Sequence, residues 1–104
     1  MGVVVLNGRK IRTLRDFHSQ MSNMLGFGPY YGNNFDALWD RLSRDVERPV
    51  HIRWEHASCS RSALGEELFN KIVSIFNDLT IEDRSLDPSE RFTFEVLERG
   101  PLTH

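Results

Sequence analysis

Three short runs rich in β-branched and aromatic residues, Val3 to Leu6, Val50 to Trp54 and Phe92 to Val96 or Leu97, are held apart by residues 7–49 and 55–91. Two residues suffice to join antiparallel strands, whereas a crossover between parallel strands needs a dozen or more and usually contains a helix. Both intervening stretches are long enough for that crossover and both carry helical periodicity. The chain is therefore expected to form an α/β fold, a three-stranded parallel sheet with right-handed connections packed with about four helices. A sheet this small leaves the helices to supply much of the core.

The first run, Val3-Val4-Val5-Leu6, is continuous rather than alternating and ends at Asn7-Gly8, the pattern of a buried strand entering a turn. Thr13 with Asp16 three positions on resembles a capping box with Asp in place of Glu, and Leu14, Phe17, Met21 and Met24 follow at helical spacing, predicting a helix over 13–25. Gly26, Gly28, Pro29 and Gly32 interrupt it. Asn34 can cap a second helix with Phe35, Leu38, Trp39 and Leu42 as its apolar stripe. In "PVHIRWEH", Val50, Ile52 and Trp54 alternate with His51, Arg53 and Glu55, the period of a strand with one buried face. Ser58 to Ser62 predicts a short helical turn. Leu68, Ile72, Ile75, Phe76 and Leu79 predict a long helix ending near Leu79, and "TIEDRSLDPSE" reads as a polar, solvated connector. The third strand is expected to stop before Gly100-Pro101.

Length bounds the organisation and charge bounds the partners. At 104 residues and 39% hydrophobic content the chain fits one domain, 1–104. Thirteen basic and fifteen acidic residues give a net charge of -2, no global pull toward nucleic acid or anionic membrane. Cys59 is the single cysteine, so no internal disulfide can form, and no Cys/His set has the spacing of a zinc site. A reducing cytoplasm is the expected location. The apolar run at the N-terminus is too short for a signal peptide core or a membrane span.

Within "YYGNNFDALWDRL", residues 30–42, Asp36 and Asp40 are four apart on one helix with no base between them. Such a pair repels by about 0.2–0.5 kcal/mol. Asp36 has a structural excuse in the first helical turn, where the macrodipole favours a carboxylate; Asp40 lies beyond that turn. The apolar stripe turns Phe35, Leu38 and Leu42 inward and leaves Asp36, Asp40 and Ser43 on the outer face. Trp39 lies between stripe and face, with core packing its first assignment. A glycine-bounded loop carrying Tyr30 and Tyr31 precedes this face, and aromatics beside carboxylates suit a basic protein surface. Asp78, near the end of the long helix, could add a second acidic patch.

Catalytic readings find little support. Cys59 near His56 lacks a third group or an oxyanion-hole motif. His18, His51, His56 and His104 do not have metal-ligand spacing. Arg9, Lys10, Arg12 and Arg15 form a basic turn without the glycine spacing of a phosphate loop, so a solvated turn is the simpler reading. No cofactor is implied.

The stretch Tyr30, Tyr31, Gly32, Asn34, Asp36, Ala37, Leu38, Trp39, Asp40 resembles the signature of the barstar family of intracellular ribonuclease inhibitors. The resemblance continues in "VVVLNGRKIRTLRDFH", "VHIRWEH" and "IVSIFNDL", nearly the whole chain. It implies the same three-stranded parallel fold and a motif loop and helix that plug the active site of a small, basic, guanyl-type ribonuclease, secreted or a toxin. By resemblance Asp40 meets the catalytic Arg and His residues of the nuclease, Tyr30 is the aromatic contact, Gly32 and Asn34 are loop contacts, and Asp36 is a second acidic contact. Asp78 stands where the family has Glu, with the charge kept and one methylene of reach lost. Arg44 and Asp45 stand where the best-known member has Gly and an aromatic, which points to a different target nuclease.

The expected function is thus a non-enzymatic cytoplasmic inhibitor, a monomer forming a 1:1 complex with its nuclease and contacting neither nucleic acid nor membrane. The alternative is a barstar-like immunity or interaction module for a different basic protein.

Overall fold

The computed structural model describes residues 3–99; Gly100-Pro101 and His104 lie outside them. Its elements are β1 (Val3–Asn7), α1 (Leu14–Leu25), α2 (Phe35–Asp40), β2 (Val50–Glu55), α3 (Ala57–Leu64), α4 (Glu66–Glu82) and β3 (Phe92–Val96). The strands form one parallel sheet in the order β1-β2-β3, with Val4 opposite Ile52 and Ile52 opposite Phe94. The expected α/β architecture is what the chain adopts.

Pleating assigns alternate side chains to opposite faces. Val4, Leu6, Val50, Ile52, Trp54 and Phe92 are buried on one face. There Phe17 of α1 stacks on Trp54 at 5.7 Å, Phe69 of α4 meets Trp54 at 5.0 Å, and Phe76 of α4 meets Phe92 at 5.8 Å. The opposite face is polar and half exposed: His51 lies 2.8 Å from both Thr93 and Glu95, and the Arg53 guanidinium reaches Glu95 at 3.2 Å. His51 and then Arg53, by hydrogen bonding, hold the Glu95 carboxyl below its ordinary pKa. Parallel sheets are normally covered on both faces; here the alternation of β2 replaces the second layer with an ionic lattice. That corrects the reading of Val3 to Leu6 as a fully buried run. Val3 is 52% exposed and Val5 half-buried, because β1 is an edge strand with one open face.

The segment Ala57–Leu64 is a full helix, not the short turn its polar start predicts. Its first N–H groups are satisfied from far along the chain: Ala57 donates to the Leu97 carbonyl at 2.9 Å and Ser58 to that of Glu98 at 3.3 Å. Beneath it Trp54 Nε1 donates to Ser60 Oγ at 3.1 Å, and Ser60 donates onward to the Gly8 carbonyl at 3.0 Å. Gly8 is pinned there, since a Cβ would lie 2.6 Å from the Glu55 carbonyl oxygen and collide with that of His56.

The acidic connector also departs from expectation. α4 runs on to Glu82, and Asp83 is buried, accepting from Arg48 Nε at 3.0 Å and from the Phe92 backbone N–H at 2.8 Å. Arg48 lies over the Phe92 ring at 5.8 Å and donates to the Val46 carbonyl at 3.0 Å. One carboxylate thus ties the entrance of β2 to the entrance of β3. Removing one partner of such a pair leaves a charge and an amide without partners, at a cost of about 3 kcal/mol or more. Asp83→Ala is expected to lower stability by that amount in urea denaturation, whereas Glu90→Ala in the same connector, where the side chain is exposed and makes no hydrogen bond or ion pair to another described residue, should change it by under about 1 kcal/mol.

Candidate functional site

The site is built from the end of α1, the loop over 26–34, and α2. Thr13 Oγ1 caps α1 by accepting from the Asp16 N–H at 3.1 Å, and the Asp16 carboxylate returns to the N–H of Arg12 at 3.0 Å. α1 ends at Gly26, left-handed at φ 67, whose N–H bonds the Ser22 carbonyl at 2.8 Å. That conformation suits glycine, which lacks a Cβ to clash.

Consecutive tyrosines then take opposite fates. Tyr31 is buried against Phe27, ring centroids 4.8 Å apart, and its hydroxyl lies 2.6 Å from His18 Nδ1 on α1. Tyr30 is 91% exposed. The two tyrosines do not form one aromatic anchor: Tyr31 fixes the loop and Tyr30 is what the loop presents. His18 had a legible signal, four residues after Leu14 and three before Met21, which puts it on the apolar side of α1.

Asn34 starts α2 as expected. Its Oδ1 accepts from the Ala37 N–H at 2.8 Å and its Nδ2 donates to the Gly32 carbonyl at 3.3 Å, so both ends of the amide are engaged in shaping the loop. Gly32 is exposed but close-fitting, as a Cβ there would come within 3.1 Å of Asn34 Nδ2.

On α2, Leu38 and Leu42 are fully buried, Phe35 and Trp39 pack half-buried against the core, and Asp36 and Asp40 are exposed. Neither carboxylate has an ion pair among the described residues. The nearest cation in sequence is committed elsewhere: Arg41 lies 6.0 Å from the Phe27 ring centroid and 3.5 Å from Asp45. The helix widens into a π-helical turn over Arg41–Asp45, where Ser43, half-buried, donates to the Asp40 carbonyl at 3.4 Å and Arg44 is exposed. Asp78 is exposed on α4, a separate element without an ion pair to α2 among the described residues. The structure therefore gathers Tyr30, Gly32, Asn34, Asp36, Asp40 and Ser43 on one loop-helix unit.

Cys59 is exposed, and its recorded link to His56 is a backbone hydrogen bond of 3.1 Å. Among the described residues no three His, Cys, Asp or Glu side chains converge as metal ligands, and no helix is long and apolar enough to cross a membrane.

Burial pushes the His18 imidazole below its ordinary pKa, and burial pushes the Tyr31 phenol up, with Arg41 opposing weakly. The phenol therefore keeps its proton beside a neutral His18, and the imidazole tautomer decides which of the two donates across the 2.6 Å contact. Because the folded His18 binds its proton less readily than the unfolded one, the stability it contributes is complete above the unfolded value of about 6.5 and is lost as pH falls through the lower folded value. Thermal melts between pH 7 and pH 5 should show stability falling with acid, and His18→Gln, which keeps an acceptor and cannot titrate there, should flatten that part of the profile.

Comparison with known proteins agrees with this geometry. The family model described as Barstar (barnase inhibitor) matches residues 1–96. A Bacillus subtilis (strain 168) protein described as "Putative ribonuclease inhibitor YrdF" is 32% identical over 65 residues, which cover 62% of this chain and 71% of that protein. With the parallel three-stranded sheet, the loop-borne Tyr30 and the acidic α2 already in place, the match over nearly all of its length shows that this chain belongs to the barstar family.

Proposed function

We propose that the chain is an inhibitor of a small secreted or toxin ribonuclease, and that the Tyr30 loop and the Asp36–Asp40 face of α2 enter the nuclease active site. Family membership supports the inhibitor class, since the family is described by its action on barnase. The observation that carries the mechanism is the pair of exposed carboxylates with no ion pair among the described residues, preceded by a loop tyrosine that is 91% exposed. A site that binds RNA phosphates is cationic, and two carboxylates on a rigid helix offer it negative charge without a scissile bond. Their mutual repulsion in the free protein is relieved when that cationic site is their neighbour.

Burial of the Tyr30 ring and desolvation of Asp40 supply affinity, while the acidic face accelerates encounter. The complex is 1:1, the protein is not an enzyme, and its place of action is the cytoplasm of a cell that makes or meets the nuclease. Arg44 adds an exposed positive charge beside the acidic face and disfavours a uniformly basic partner surface. This favours a target other than barnase itself, within the guanyl-type class.

The test is titration of the purified protein into activity assays of barnase and a panel of small guanyl-type ribonucleases. Stoichiometric inhibition is expected for at least one. Asp40→Ala should weaken it by about 30-fold or more, the 2 kcal/mol threshold used for interface hot spots, a class in which this family is itself a standard example. The same substitution should leave the free protein as stable or more stable by about 0.2–0.5 kcal/mol, because it removes a like-charge neighbour of Asp36. Undiminished inhibition by Asp40→Ala would contradict the mechanism.

A further inference from the structure

A polar cleft lies behind the Tyr30 loop. Its volume is about 280 Å³, and Ser19, Ser22 and Asn23 of α1 face Gly28, Tyr31 and Asn33 of the loop across it. The α1 residues are spaced i, i+3, i+4, which places them on one helix face. That face is turned away from Phe17 and Met21, which are buried. The cleft exists because two of the three are serines, too short to fill the space between helix and loop. On the other wall Gly28 at φ 81 and Asn33 at φ 54 are both left-handed, so the loop backbone curls around the opening.

The chemistry of the walls is specific. Ser19, Ser22, Asn23 and Asn33 offer hydroxyls and amides, and none of these side chains makes a hydrogen bond to another described residue. The one titratable group on the walls, Tyr31, has its hydroxyl committed to His18 at 2.6 Å. A charged group held in this open cleft beneath a bound partner would give up its hydration without meeting an opposite charge, whereas an uncharged amide or hydroxyl would exchange water for protein partners. The acidic face of α2 handles cations; this cleft does not.

Resting on the inhibitor reading above, we propose that the cleft is a second recognition subsite for the nuclease, taking an uncharged hydrogen-bonding side chain, of the Asn, Gln, Ser or Thr type, from the partner surface that surrounds Tyr30. The loop that forms one wall also carries Tyr30, so a protein that covers Tyr30 is brought to the mouth of the cleft. The acidic α2 face then provides charge and speed, and the cleft discriminates among nucleases that share a cationic active site, because a partner side chain of the wrong length or charge is left unpaired there.

The double variant Ser19→Gln/Ser22→Gln fills the cleft from α1 without changing charge, and Gln favours a helix at least as well as Ser, so the fold is kept. Asn33→Gly removes the side chain on the loop side at a backbone conformation that glycine adopts freely. Binding of wild type, both variants and Asp40→Ala to barnase and the guanyl-type panel would be measured by surface plasmon resonance, with thermal melts as the folding control. The expected result is at least a 10-fold loss of affinity in the double variant for an inhibited nuclease, mostly in dissociation rate, a smaller loss in Asn33→Gly, and unchanged melting. Wild-type affinity in both variants, with Asp40→Ala still impaired, would overturn the subsite and leave the inhibitor reading standing. Failure of the wild type to bind any nuclease would overturn both.

Discussion

The contact between the Tyr31 hydroxyl and His18 Nδ1, 2.6 Å long and buried between α1 and the loop, is the constraint from which the recognition surface follows. The Tyr31 N–H closes a turn on the Gly28 carbonyl at 3.4 Å, so anchoring the Tyr31 ring inward leaves Tyr30 on the exposed corner of that turn. The anchor joins a cluster of rings, with Phe27 on one side and Phe35, 6.0 Å from His18, on the other, so the loop leaves α1 and enters α2 with both ends fixed. Asn34 then closes the loop with its cap. A surface pre-organised in this way spends little of its binding free energy on ordering itself.

Stability and recognition are separated in the molecule. The covered face of the sheet is aromatic and aliphatic, with Trp54 at its centre and its indole N–H satisfied by Ser60. The open face carries a lattice in which His51 hydrogen-bonds Thr93 and Glu95, and the Arg53 guanidinium pairs with Glu95. The carboxylates of α2 have no ion pair among the described residues, and the neighbouring Arg41 is drawn to Phe27 and Asp45 instead. Unpaired charge on a helix is a poor stabiliser and a good ligand, which is what supports the proposal that α2 acts on another molecule.

The amino-acid sequence exposes those parts of the fold that are decided locally. Alternation in Val50, Ile52 and Trp54 announces β2 and its buried face, the Leu14-Phe17-Met21 stripe announces α1, and Asn34 before an apolar stripe announces the start of α2. The acidic face of α2 is legible for the same reason. What stays hidden depends on partners distant in sequence. Asp83 looks like one more solvated acid in a polar connector, and only Arg48 and the Phe92 amide, brought to it by the sheet, make it a buried clamp. α3 reads as a mere turn because its N-terminal amides are met by carbonyls of residues 97–98, not by a local cap. The separate fates of Tyr30 and Tyr31 rest on His18, thirteen residues away. Val3 to Leu6 misleads because a continuous apolar run does not tell an edge strand from a central one.

On the proposed mechanism, α2 occupies the place of RNA phosphate in the nuclease. Competition calorimetry addresses it: the protein is titrated into an inhibited guanyl-type ribonuclease with and without a saturating guanosine monophosphate in the nuclease active site. The nucleotide should raise the apparent Kd by a factor of one plus the ratio of its concentration to its own Kd, as two ligands for one site must. Equal affinity in the presence of the nucleotide, with both bound together, would contradict it.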